Sequence, residues 1–133
     1  MATLLIVDDD TDVRDTLHEF LSETHECHTA DRAEQALAYL DIEHYDVILT
    51  DIAMPQLSGR EILKYVQAKH PATPVIVISG ATSGGSANEL MSLGAFAFLD
   101  KPFRLELVED ALNRALIHRQ ELLQTSVSEP PAE

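Results

Sequence analysis

The chain has no tryptophan, one cysteine, and only nine Lys and Arg against 23 Asp and Glu. Cys27 has no second cysteine with which to close an internal disulfide, so packing must hold the fold. The basic residues are scattered singly, and no stripe of them exists for a phosphate backbone to follow, which excludes direct nucleic-acid binding. A formal net charge of −14 likewise argues against anionic membranes. No uninterrupted apolar run reaches the roughly 18 residues of a membrane span. The start, Met-Ala-Thr-Leu-Leu-Ile-Val, lacks the basic segment and small-residue cleavage site of a signal peptide. These absences predict a cytoplasmic location.

What is present is an alternation of apolar runs and amphipathic stretches. Residues 3–7 form a continuous apolar run, as expected of a strand buried on both faces, and stop at Asp8-Asp9-Asp10. The pattern then predicts a helix over 11–23, with Val13, Leu17, Phe20 and Leu21 on one face, and a short strand over 25–29. Asp31 and Glu34 read as a capping box opening a helix to residue 40, with Ala33, Ala36, Leu37 and Leu40 inward. A third strand over 46–50 ends at Asp51, and Met54-Pro55 breaks the chain. Ser58 and Glu61 form a second capping box before a helix to residue 69, buried through Ile62, Leu63 and Val66. A fourth strand over 74–78 precedes a Gly- and Ser-rich stretch, 79–86, and a weak helix near 86–93, stopped by Gly94. Residues 95–99 read as a fifth strand and 105–124 as a long helix. Residues 1–124 are thus the expected domain, and 125–133, with two prolines and no core residue, a disordered tail or the start of a linker.

Five strands alternating with five helices imply an α/β doubly wound parallel sheet flanked by helices on both faces, with right-handed crossovers. Functional groups in such sheets gather beyond the carboxyl ends of the strands. Asp8 and Asp9 end the first strand, Asp51 the third and Ser79 the fourth, and Lys101 follows the fifth. Three neighbouring carboxylates raise one another's pKa unless cations intervene. Lys101 supplies one cation, and an all-oxygen donor set without His or Cys suits Mg²⁺ as the other. Such a site fits phosphoryl transfer to an Asp nucleophile, with Ser79 and Lys101 each meeting a phosphoryl oxygen and Gly80 leaving room for the group to enter.

The assembled pieces are Leu-Leu-Ile-Val-Asp8-Asp9, Asp51-Ile-Ala-Met-Pro55 with Gly59 eight residues after the Asp, Ser79 after an apolar strand, and Lys101-Pro102-Phe103. In this order and at strand ends, they resemble the response-regulator receiver family of two-component signalling, from residue 2 to about 120. The resemblance implies strand order 2-1-3-4-5. It makes Asp51 the phosphoacceptor and Asp8 and Asp9 the acidic pair for Mg²⁺, with Asp51 and the Ala53 carbonyl as further ligands. It makes Ser79 the hydroxyl switch, Phe98 the aromatic switch and Lys101 the phosphate partner, with the Lys101-Pro102 bond cis. Expected partners are a sensor histidine kinase or phosphotransfer protein and a downstream protein or attached output domain. A homodimer through the fourth helix, fifth strand and fifth helix, or through the extended last helix, is a further expectation. The chain departs from common family patterns at Phe98, where Tyr is frequent, and at Ala53 and Ala81 by the site mouth, so nothing there orients or blocks a hydrolytic water.

Plainer readings compete at several residues. Asp10 belongs to the start of the first helix rather than to a metal. His25, Cys27 and His28 cannot converge on an ion if they lie in a strand, because Cys27 then points away from His28, and Cys27 reads as a small buried residue. Phe98 is core unless the resemblance holds. In the last helix Leu122 and Leu123 continue the apolar pattern beyond the domain edge, like a short coiled-coil seam. Among rival functions, an aspartyl-nucleophile phosphatase of the haloacid-dehalogenase type expects a second Asp where Ala53 stands. A nucleotide switch expects a Gly-rich phosphate loop after the first strand, and a metal-independent module has no use for the acidic, hydroxyl and lysine positions together.

Overall fold

The computed structural model describes residues 2–54, 57–80 and 87–128. Its strands are β1 (Thr3–Val7), β2 (Glu26–Ala30), β3 (Val47–Asp51), β4 (Val75–Ser79) and β5 (Ala97–Asp100). The helices are α1 (Thr11–Leu21), α2 (Ala33–Ile42), α3 (Gly59–Lys69), α4 (Ala87–Ser92) and α5 (Leu105–Ser128). All strand pairs are parallel, in the order β2-β1-β3-β4-β5. The doubly wound sheet and its order therefore match the expectation.

The apolar runs follow from burial on both faces. In β1, Leu5 and Val7 pack into a cluster with α2 and α3, while Leu4 and Ile6 pack into a second cluster with α1 and α5. The inner strands β3 and β4 are buried at every residue, whereas edge strands β2 and β5 are mostly half-buried. In α5, Val108, Ala111, Leu112 and Ala115 are buried, a spacing of three and four that keeps one helical face on the sheet.

Several boundaries shift for local reasons. Asp31 does not cap α2: its carboxylate pairs with Arg32 at 3.0 Å and its N–H donates to Gln35 Oε1 at 3.0 Å. The helix starts at Ala33 behind Arg32, which gives no side-chain cap bond, so the capping-box reading fails there. Ser58 does cap α3, accepting from the Arg60 N–H. Helix α1 stops at Leu21, earlier than residue 23, because the Thr24 and His25 N–H groups both turn back to the Leu21 carbonyl. Strand β5 begins at Ala97 because residues before it still close α4: Gly94 has φ 111° and the Ala95 N–H donates to Leu90 O. Helix α5 continues to Ser128, past residue 124, since no Pro or Gly interrupts it before Pro130. Residues 129–133 of the expected tail lie outside the described residues, as do Pro55, Ala81 and the Gly84-Gly85-Ser86 stretch.

Candidate functional site

The carboxyl edge of the sheet gathers the predicted residues. Asp8 follows β1, Asp51 is the last residue of β3, and Ser79 the last of β4; all three are buried. Lys101 follows β5 and is half-buried, and its N–H donates to Ser79 O at 2.8 Å, which keeps β4 and β5 together past the end of the ladder. Its ammonium lies 3.0 Å from Asp8 Oδ2 and 3.3 Å from Asp51 Oδ2. The Lys101-Pro102 bond is cis. Asp9 is exposed, yet one carboxylate oxygen from each of Asp8, Asp9 and Asp51 lies within 4.8 Å of the others.

Local bonds hold these groups in place. The Asp8 N–H donates to Ala30 O at 3.1 Å, and Asp8 Oδ1 accepts the Asp10 N–H at 2.8 Å. Asp10 itself caps α1, accepting from the Asp12 and Val13 N–H groups, as the plainer reading of that residue expects. The Asp51 carbonyl accepts the Thr50 hydroxyl at 2.9 Å, and the Ala53 N–H points at Asp51 Oδ1 at 3.4 Å. The N–H of Gly59 donates to Ile52 O at 2.9 Å, and a Cβ on Gly59 would sit 2.3 Å from the Asp51 carbonyl oxygen. Glycine there lets α3 start against the backbone of the acidic residue. Among the described residues Ser79 Oγ has only a long bond to the Gly80 carbonyl, at 3.3 Å, so its hydroxyl is weakly committed there. Phe98 is half-buried against the α2/α3 cluster, opposite Val77 in the ladder.

Charge at this edge is out of balance. Burial pushes the Asp8 carboxyl above its ordinary value, and the Asp9 charge adds to this, against the opposing Asp10 N–H and Lys101. Burial also raises Asp51, reinforced by the Asp8 charge and opposed by Lys101. For Lys101 burial acts downward, but the close contact and charge of Asp8, then those of Asp51, outweigh it and raise the ammonium's pKa. Asp8 Oδ2, although paired with the Lys101 charge, is a buried oxygen without an aligned hydrogen bond among the described residues. A buried, under-satisfied carboxylate oxygen inside an all-oxygen cluster fits a hard divalent cation such as Mg²⁺.

The other candidates separate. His28 bonds Tyr45 Oη at 2.8 Å on one face of β2, while Cys27 packs into the α1/α5 cluster on the other, so no His/Cys metal site forms there. Cys27 is half-buried rather than fully buried, and burial pushes its thiol up to about 11. Sequence reasoning passed over Arg14, whose Nη1 donates to the Asp8 carbonyl at 2.8 Å. A cation on the first turn of α1, six residues after Asp8, was the available signal.

Comparison with known proteins bears on the same edge. A family model described as the response regulator receiver domain matches residues 4–113. The DNA-binding transcriptional regulator NtrC of Salmonella typhimurium is 34% identical over 117 residues, 87% of this chain and 25% of its own length. The response regulator protein PilR of Pseudomonas aeruginosa is 35% identical over 113 residues, 84% of this chain and 25% of its own. This chain thus spans about a quarter of these curated relatives. Among solved structures, NtrX from Brucella abortus superposes with a TM-score of 0.89 at 31% identity, covering 98% of this chain and 30% of that one. The chemotaxis response regulator CheY4 of Vibrio cholerae gives 0.79 at 34% identity, covering 87% of this chain and 99% of that one.

Proposed function

The chain belongs to the response-regulator receiver family of two-component signalling, and from that premise we propose that it is a Mg²⁺-dependent switch phosphorylated on Asp51. The observation that carries the reading is the carboxyl edge itself, where three carboxylates lie within 4.8 Å and two of them, Asp8 and Asp51, face Lys101 at 3.0 and 3.3 Å. Asp8, Asp9, Asp51 and the Ala53 carbonyl would hold the ion. When bound, Mg²⁺ neutralises the carboxylates and the equatorial phosphoryl oxygens.

The chain's own residues do the rest. A carboxylate oxygen of Asp51 attacks phosphorus, the P–N bond of a phosphohistidine donor breaks, and its electron pair leaves with the imidazole nitrogen. A small donor such as acetyl phosphate loses a P–O bond in the same way. Lys101 pairs with one phosphoryl oxygen and Ser79 Oγ, freed from Gly80, donates to another. Moving Ser79 vacates space into which Phe98 turns, and the change is read on the α4-β5-α5 face. Phe98 has no hydroxyl to strand in the interior, so an inward ring costs no buried donor. The donor is a sensor histidine kinase or phosphotransfer protein, and the recipient a separate protein or an attached output domain. The chain catalyses only its own phosphorylation and dephosphorylation. A cytoplasmic site of action is part of this reading, and no helix among the described residues is long and apolar enough to cross a membrane.

Acetyl phosphate with Mg²⁺ is expected to add one acid-stable, hydroxylamine-labile phosphoryl group, seen by intact-protein mass spectrometry. Equal labelling of Asp51→Asn would remove Asp51 from its role. With beryllofluoride as phosphoryl mimic, hydrogen-exchange changes should concentrate in residues 80–103; changes confined to 30–70 would refute the Ser79–Phe98 route.

A further inference from the structure

We infer that Arg14 is a positioning residue for the acidic pair, setting metal affinity by clamping the peptide that joins Asp8 to Asp9. This rests on reading Asp8 and Asp9 as metal ligands.

Val7 is the last residue of β1 paired with β2, so the Asp8 carbonyl lies beyond the ladder and has no strand partner. Its residue is buried, and a buried carbonyl left unpaired is costly. Arg14 fills that place from the first turn of α1, with Nη1 2.8 Å from the oxygen. Among the described residues this is the whole of Arg14's polar contact: it pairs with none of Asp8, Asp9 or Asp10, although all three are close in sequence. A guanidinium beside an acidic run that bonds a backbone oxygen instead of a carboxylate is performing a geometric task.

That oxygen and the Asp9 N–H belong to one rigid peptide plane. Rotating the plane would swing the two carboxylates apart, and the remaining bonds grip Asp8 and, through the Asp10 N–H, the peptide after Asp9, but not this plane. The Asp8 N–H is fixed to Ala30 O, its Oδ1 to the Asp10 N–H, and its Oδ2 faces Lys101. Asp9 is exposed, with no side-chain hydrogen bond or ion pair among the described residues. The Arg14 bond is therefore the one among the described residues that fixes the peptide joining Asp8 to Asp9.

Geometry and charge predict opposite outcomes on removing Arg14. If Arg14 acted only as a nearby positive charge, its loss would tighten binding of a cation. If it positions the pair, its loss weakens binding. Calorimetric Mg²⁺ titrations of the 133-residue chain, the Arg14→Gln variant and the Arg14→Lys variant, at low and high NaCl, separate the two. We expect Arg14→Gln to raise the Mg²⁺ Kd roughly tenfold, the lower end of the cost of losing an outer-shell partner, at both salt levels. Arg14→Lys, which keeps one donor without the fork, should recover part of the loss. In metal-free protein, amide exchange at Asp9 and Asp10 should quicken in Arg14→Gln while Leu5 and Ile6 stay protected. Binding unchanged within about twofold, or tighter, in Arg14→Gln overturns the inference, as does exchange that quickens equally along β1. Failure of the parent chain to bind Mg²⁺ overturns the metal reading together with it; parent binding with indifferent variants overturns the inference alone.

Discussion

At the amino edge of the sheet Asp46 accepts the Thr3 N–H at 2.8 Å and the Arg119 Nε–H at 3.0 Å. Arg119 also donates to the Ala72 carbonyl at 3.1 Å and the Thr73 hydroxyl at 3.2 Å. One carboxylate meets one guanidinium, and both Asp46 oxygens have donors. At the carboxyl edge three carboxylates cluster, Lys101 pairs with two of them, and among the described residues a buried Asp8 oxygen lacks an aligned donor. The same sheet thus ends in a balanced cluster that ties α5 to three strands and in an unbalanced one that awaits positive charge. Balance marks structure; imbalance marks a place where a ligand completes the set.

The largest expected difference is in stability, with opposite signs at the two edges. Arg119→Met should cost about 2 kcal/mol, since it removes the charge-assisted bonds to Asp46 Oδ1, the Thr73 hydroxyl and the Ala72 carbonyl. Asp51→Asn should stabilise the metal-free protein by about 1 kcal/mol, since it removes one of three repelling carboxylates. Urea unfolding of both variants measures this. If Asp51→Asn destabilised as much as Arg119→Met, the two edges would be alike and the contrast would vanish.

The pH dependence sharpens the same contrast. Asp8 and Asp51 have folded pKa values raised above 3.8, so between 3.8 and those raised values the folded chain binds protons that the unfolded chain has lost. Stability from these groups therefore falls as pH rises through that window and is recovered as pH drops toward 3.8. The stabilisation by Asp51→Asn should be widest above the window and shrink at its acid end, which cancels the titration shared with other carboxylates. Saturating Mg²⁺ should shrink it at neutral pH, because the ion stabilises the parent more than a variant that has lost a ligand charge. A gap that is flat in pH and indifferent to Mg²⁺ would show that the acidic cluster is not strained.

The two edges also differed in how far the sequence disclosed them. Asp8, Asp9, Asp51, Ser79 and Lys101 were legible because each polar residue stands at the end of an apolar run, and strand alternation places run ends on one edge. The Arg119 cluster was not legible: its contacts to Asp46 and Thr73 span 73 and 46 residues, and a single Arg on an amphipathic helix reads as solvated. Arg14 escaped for a related reason, since its partner is a backbone oxygen, which carries no residue-type signal. The failure at Asp31 has the same physics at short range. An acidic residue before a helix caps it only if its carboxylate is free, and here Arg32 takes the carboxylate.

A third charge cluster tests whether balance alone suffices. Arg60 and Glu89 join α3 to α4 through Nε–Oε2 at 3.3 Å and Nη2–Oε1 at 3.0 Å. This pair is balanced like Asp46–Arg119 but somewhat more exposed, its side chains at 25% and 49% against 19% and 37% there. Water and salt screen it, so a double-mutant cycle with Arg60→Gln and Glu89→Gln should give a coupling of only about 0.5 kcal/mol, smaller still at high salt. Its local effect should exceed its global one. Helix α4 has six residues and, of those whose burial is described, only Leu90 is buried, so a tie to α3 is a large part of what seats it. Arg60 follows Gly59, which packs on the Asp51 carbonyl, and the pair therefore connects α4 to the backbone at Asp51. In Glu89→Gln, amide exchange over residues 87–92 should quicken without a phosphoryl mimic, while the midpoint of urea unfolding barely moves. A coupling of about 2 kcal/mol would place this pair with Asp46–Arg119 and show that charge balance, rather than burial, sets the strength of such ties.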